Sequence, residues 1–126
     1  IDASVTPQTL ITIFFPNTPL HDGAVIIREN RIASAGCLLP LSKDLEISKE
    51  LGTRHRAAVG ITEMSDAISV IVSEETGKIS YALNGKINIG VSVDELKELL
   101  EDKFIVDENS ARKFKLFRKE VNNNEN

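Results

Sequence analysis

A chain of 126 residues with 41% hydrophobic and 27% charged residues has the length and make-up of one ordinary globular domain with a single core. Its net charge of −4 excludes a general nucleic-acid binder, and no apolar run approaches the roughly 20 residues of a membrane helix. The charge is uneven: residues 111–126 hold five cations (Arg112, Lys113, Lys115, Arg118, Lys119) against Glu120 and Glu125, so the acidic excess lies upstream.

Thr6-Pro7 reads as a helix start, a hydroxyl cap followed by proline at the first helical position, and the helix is predicted to run to about Phe15 before Pro16. Pro16–Pro19 is a rigid loop. Ala24–Arg28 and Arg31–Leu38 read as an antiparallel hairpin turning at Glu29-Asn30. The lone Cys37 lies in an apolar run and is expected to be a buried, inert thiol in a reducing compartment. Pro40–Gly52 is a polar connection with room for one short helical turn. A helix is expected from Thr53 or Arg54 to about Met64, although its apolar positions are poorly periodic and Gly60 weakens it. Ala67–Ser73 and Lys78–Leu83 are strands joined through Glu74–Gly77, with a further turn at Asn84-Gly85.

Ser92 opens the last predicted helix, with Glu95 placed for a capping box and Val93, Leu96, Leu99 and Leu100 on one face. Beyond about Val106 the chain is polar. Within it, Phe114, Phe117 and Val121 stand at helical spacing among cations, a pattern open to a membrane-surface helix or a disordered basic tail. The expected organisation is a single α/β domain over 1–106, with a mixed parallel/antiparallel sheet flanked by helices, and a tail over 107–126. The chain begins at Ile1 rather than Met, which is expected of a fragment or a processed product.

Three segments carry groups suited to chemistry. In His21-Asp22-Gly23-Ala24, glycine lets the backbone approach a ligand, and the imidazole and carboxylate can hold a metal; a surface turn is the alternative. In Gly52-Thr53-Arg54-His55-Arg56, two cations sit at a helix start, against the macrodipole, with no acidic residue on the helix until Glu63. A bound phosphate would resolve that conflict; a solvated basic first turn paired with Glu50 is the alternative. In Ser73-Glu74-Glu75-Thr76-Gly77, adjacent carboxylates can bind a metal or simply form an acidic turn. Both histidines of the chain fall in these segments. The phosphate loop of NTPases and the dinucleotide glycine fingerprint are both missing, and one Cys with two His supplies no zinc set.

Asp22-Gly23-Ala24 and Arg54-His55-Arg56, with Phe15–His21 before the first and Leu51–Thr53 before the second, resemble the two signature motifs of the diadenylate cyclase domain. Ser73–Gly77 resembles a third segment of that family, and the likeness spans roughly residues 2–105. Within the family, the text resembles the membrane-anchored cyclases of Gram-positive bacteria. The resemblance implies that two ATP molecules become cyclic 3′,5′-di-AMP and two pyrophosphates. It implies that Asp22, Gly23 and Ala24 lie beside the ribose and α-phosphate, and that Thr53, Arg54, His55 and Arg56 cradle phosphates. Ser73 and Glu74 would complete the nucleotide contacts, and Leu39 would meet the adenine. Asp22, His21 and Glu75 would serve a divalent ion, Mg²⁺ or Mn²⁺.

The same resemblance implies a homodimer or larger assembly, because each ATP must present its 3′-hydroxyl to the other's α-phosphate. It also implies a further helix and strand, and membrane helices, ahead of Ile1. The full-length protein would then sit at the cytoplasmic face of the membrane, this fragment being soluble. A membrane-associated regulator and a sugar-phosphate mutase would be partners. Two other readings compete: a binding or scaffolding module that holds ATP without turnover, and a metal-dependent HD-type phosphohydrolase, for which the chain has too few histidines.

Overall fold

The computed structural model describes residues 1–44 and 51–104. Their strands and helices are, in order, β1 (Ala3–Ser4), α1 (Pro7–Phe14), β2 (Ala24–Arg28), β3 (Arg31–Cys37), α2 (Thr53–Glu63), β4 (Ile68–Val72), β5 (Ile79–Leu83), β6 (Lys86–Val91) and α3 (Val93–Phe104). The α/β class is the expected one. The strands form two three-stranded sheets, ordered β1-β3-β2 and β4-β5-β6, where one sheet was expected. β1 and β6 are additions to the elements read from sequence. The expected helical turn between Pro40 and Gly52, the end of the last helix and the tail over 107–126 lie outside or partly outside the described residues.

These residues divide into two compact units, 1–71 with 82–87, and 72–81 with the described residues from Asn88 onward. In the first unit, α1 starts as its sequence dictates: the Thr6 hydroxyl accepts from the Thr9 amide at 3.1 Å, and Pro7 opens the helix. It stops at Phe14 because Phe15, the residue before Pro16, is extended (φ −59, ψ 129). β2 and β3 join through Glu29 and Asn30, both at positive φ, the backbone that matches a tight hairpin to strand twist. Their register pairs Arg28 with Arg31, Ile27 with Ile32, Ile26 with Ser34 and Ala24 with Cys37, shifting twice on the way. The second shift brings the backbone of Gly36 (φ +63) against Gly23 (φ +140): a Cβ on Gly23 would lie 2.6 Å from the Gly36 carbonyl carbon. Cys37 is half-buried rather than buried, and its thiol donates to the Ala35 carbonyl.

The core of this unit is Ala58, Val59, Ile71 and Ala82, with Ile87 against it. Polar links fix α2 over the strands. Thr62 Oγ1 donates to the Val59 carbonyl at 2.8 Å and accepts from the Gly85 amide at 3.0 Å, and Ser69 Oγ donates to the Ala58 carbonyl at 3.0 Å. Gly60, which weakened the helix on sequence, has a packing reason: a Cβ there would fall 1.9 Å from the Pro40 carbonyl oxygen.

In the second unit, the Glu95 amide donates to Ser92 Oγ at 3.1 Å, the expected cap of α3. Leu96, Leu99 and Leu100 are half-buried, whereas Val93 is exposed. No helix among the described residues is long and apolar enough to cross a membrane.

Candidate active site

Asp22 and Arg54 lie 32 residues apart in sequence and meet in space: Arg54 Nη2 donates to Asp22 Oδ1 at 3.3 Å. The two signature segments therefore converge within one unit. Each is held by its own local device. Asp22 is positioned by the Gly23–Gly36 approach directly after it, and Arg54 stands in the first turn of α2. That helix has Gly52 at its cap position, no side-chain cap and no acidic residue in its first turn. Thr53 is the first helical residue, so the helix dipole and both guanidinium groups present positive charge at one end. The pair is open to water, with the Asp22 side chain 78% and the Arg54 side chain 46% exposed.

His21 is half-buried, and its Nδ1 lies 2.7 Å from the Thr18 carbonyl. A carbonyl only accepts, so Nδ1 carries the proton, which leaves Nε2 as the ring nitrogen open to a ligand. Thr18 is itself pinned, its hydroxyl donating to the Phe15 carbonyl at 2.9 Å. The loop between α1 and β2 thus holds the imidazole by Nδ1, with the exposed Asp22 carboxylate next in sequence.

Among the described residues, no three His, Cys, Asp or Glu side chains form a metal cage. This donor set suits Mg²⁺ or Mn²⁺ entering with a polyphosphate, since such ions take one or two protein ligands and fill the rest of their shell with phosphate oxygens and water. The Glu75 ligand expected from sequence belongs to the second unit, as do Ser73 and Glu74. There the turn is braced by hydrogen bonds of its own. Ser73 Oγ accepts from the Thr76 amide at 3.3 Å, Thr76 Oγ1 from the Lys78 amide at 3.2 Å, and the Gly77 amide donates to the Ser73 carbonyl at 2.9 Å. Ser73 keeps its hydroxyl proton to donate, and both glutamates are exposed.

The two arginines of the second motif differ. Arg56 is half-buried, its Nη2 donates to the Ser42 carbonyl at 3.4 Å, and its Nε is sealed from solvent with no partner. Ser42, 1% exposed, also donates its amide to the Arg56 carbonyl at 2.9 Å. Leu39 is half-buried at the head of that segment, after Leu38, which is 95% exposed. Gly36 and Ser42 are supporting residues that the sequence did not single out, and Gly60, which on sequence only weakens the helix, is a third. For the glycines, the signal was a small residue inside a strand and inside a helix; Ser42 had none.

Residues 1–87 match the family model described as DisA bacterial checkpoint controller nucleotide-binding. The chain is 58% identical over 104 residues to the cyclic di-AMP synthase CdaA of Bacillus subtilis, and 57% identical over 100 residues to a diadenylate cyclase of Listeria monocytogenes. Those alignments cover 82% and 79% of this chain but 38% and 37% of the relatives, so the chain spans under two-fifths of their length. Its fold matches the crystal structure of DacA from Staphylococcus aureus with a TM-score of 0.81 and 52% identity, over 84% of this chain and 71% of that one. A Bacillus cereus protein described as a hypothetical membrane spanning protein matches with a TM-score of 0.70 and 51% identity, over 73% of this chain and 45% of that one.

Proposed function

Because the chain belongs to the DisA-type nucleotide-binding family, the diadenylate cyclase domain, we propose that it is the catalytic part of a cyclase that converts two ATP into cyclic 3′,5′-di-AMP and two pyrophosphates. The observation that carries this reading is the meeting of Asp22 with Arg54 at the uncapped start of α2. A carboxylate suited to a metal or a hydroxyl proton stands there beside a phosphate-binding helix end.

In each half-reaction a 3′-oxygen forms a bond to the α-phosphorus of the other ATP. The bond from that phosphorus to the β-phosphate oxygen breaks, and pyrophosphate leaves with the electron pair. Thr53, Arg54 and His55 hold the polyphosphate, aided by the dipole of α2. Asp22 either holds the divalent ion or takes the 3′-hydroxyl proton, while His21 Nε2 offers a second ligand. Gly23 and Ala24 leave room for the ribose and α-phosphate, and Leu39 meets the adenine. The ion, when bound, neutralises charge on the phosphates. Two copies must face each other, since one site holds one ATP. The likeness to a protein described as membrane spanning supports a full-length protein placed at a membrane.

The test is to incubate the full 126-residue chain with ATP and Mn²⁺ or Mg²⁺ and identify products by chromatography with mass detection, beside an Asp22→Asn control. Cyclic di-AMP from the parent alone supports the reading. A linear hydrolysis product would point instead to a phosphohydrolase, and ATP binding without any product to a binding module.

A further inference from the structure

Two arginines flank His55, and by sequence they read as a matched pair of phosphate ligands. Their surroundings separate them. A guanidinium grips a phosphate side-on through the edge formed by Nε and Nη2. In Arg56 that edge is turned into the protein, with Nε sealed from solvent and Nη2 bonded to the Ser42 carbonyl. To take a phosphate on that edge, Arg56 would have to release Ser42 and open its surroundings. Arg54 is 46% exposed and meets Asp22 at the start of α2.

The residues around Arg56 point to another task. Leu39–Ser42 runs as a strap over α2 and is fastened at three places. The Ser42 amide donates to the Arg56 carbonyl, Arg56 Nη2 donates back to the Ser42 carbonyl, and the Pro40 carbonyl lies against the bare Cα of Gly60 one turn further along. The two Ser42 bonds form a closed ring between strap and helix, and Arg56 supplies both partners. Ser42 is almost wholly buried, whereas its neighbour Leu41 is 41% exposed and Leu38, just ahead of the strap, is 95% exposed. The strap is therefore anchored at Pro40 and Ser42 and leaves apolar surface of Leu38 and Leu41 exposed, the kind of surface a flat aromatic base would cover.

We infer that Arg56 is a positioning residue rather than a phosphate ligand: it fixes the Leu39–Ser42 strap, and through it the apolar wall against which the base of the nucleotide rests. This rests on the proposed nucleotide site and divides its labour, Arg54 serving the phosphates and Arg56 the base.

The two roles separate by ligand. Affinities for ATP and for inorganic tripolyphosphate, which has the phosphates without the base, are measured by calorimetry for the parent and for Arg54→Met, Arg56→Met and Gly60→Ala. Gly60→Ala displaces the strap at Pro40 without touching a cation. Arg56→Met and Gly60→Ala should each weaken ATP by about tenfold, the scale of one lost charge-assisted contact, and leave tripolyphosphate within about twofold. Arg54→Met should weaken both ligands alike. Equal loss of both ligands in Arg56→Met overturns the inference.

Hydrogen exchange at the Ser42 amide in the ligand-free chain gives an independent reading. Faster exchange in Arg56→Met and Gly60→Ala, by about tenfold or more, upholds the strap, and unchanged exchange overturns it. A parent that binds neither ligand overturns the nucleotide site instead, and the Ser42 exchange still decides whether Arg56 holds the strap.

Discussion

Gly23→Ala and Gly90→Ala make a matched pair that isolates what the first signature motif demands of its backbone. Both glycines have positive φ, +140 for Gly23 and +73 for Gly90. A Cβ on Gly90 would meet nothing within 4 Å, so that substitution carries only the conformational cost of a left-handed alanine, about 1–2 kcal/mol. A Cβ on Gly23 would meet the Gly36 carbonyl carbon at 2.6 Å, the Gly36 Cα at 2.8 Å and the Cys37 amide nitrogen at 3.0 Å. These are backbone atoms of a paired strand and cannot swing aside as a side chain would. Backbone strain of about 1–3 kcal/mol and overpacking of about 1–3 kcal/mol then combine to roughly 2–6 kcal/mol. Urea unfolding followed by far-ultraviolet circular dichroism, compared at equal m-value, reads both numbers. The displaced backbone carries Asp22 with it, so Gly23→Ala protein that remains folded should lose roughly 100-fold or more in cyclisation. A Gly23→Ala variant no less stable than Gly90→Ala would refute the reasoning, because the Gly23–Gly36 approach would not then be a tight one.

Asp22→Asn should leave the melting temperature within about 2 °C, since an ion pair this exposed contributes roughly 0–1 kcal/mol, while product formation falls by about 100-fold or more. Val59→Ala removes two methyl groups from a side chain with no exposed surface and should cost about 2–3 kcal/mol by denaturant titration, with the affinity for ATP unchanged in the folded fraction. Thr6→Ala removes the cap of α1 and should cost about 1 kcal/mol, read as a lower melting temperature.

What could be read in the sequence was whatever a short stretch decides by itself. Thr6-Pro7 and Ser92–Glu95 announce helix starts because the capping hydroxyl and the amide it serves are three residues apart. Glu29-Asn30 announces a hairpin through Asn30, which tolerates positive φ, whereas Glu29 takes it because the turn demands it. β6 was passed over because Lys86–Val91 lacks a clean alternation: Asn88, Ile89 and Gly90 are all exposed. β1, of two residues, exists only through its pairing with Arg31 and Ile32, assisted by the Asp2–Arg31 ion pair. The site divides the same way. That Asp22 and Arg54 are candidate site residues was legible in their motifs, and that they touch was not. The unequal surroundings of Arg54 and Arg56 are set by Ser42, whose own sequence context carries no signal.

The exposure of Asp22 bears on how the reaction must be assembled. Phosphoryl transfer gains most from fixed charges where water is excluded, because the same charges act far more strongly at low dielectric. In the single chain the Asp22 carboxylate is 78% exposed and its arginine partner 46% exposed, so their fields are largely screened. On the proposed reaction, the second copy that brings the other ATP also lays its own surface over this one. One encounter then delivers the reacting hydroxyl and removes the water. Product per protein molecule should therefore fall on dilution, roughly in proportion to concentration once the dimer is the minor species. The check is initial rate across a dilution series, with sedimentation measured at the same concentrations. A rate per molecule that stays constant where only monomer sediments would mean that one chain excludes water and joins two nucleotides unaided, and the requirement for a facing copy would be wrong.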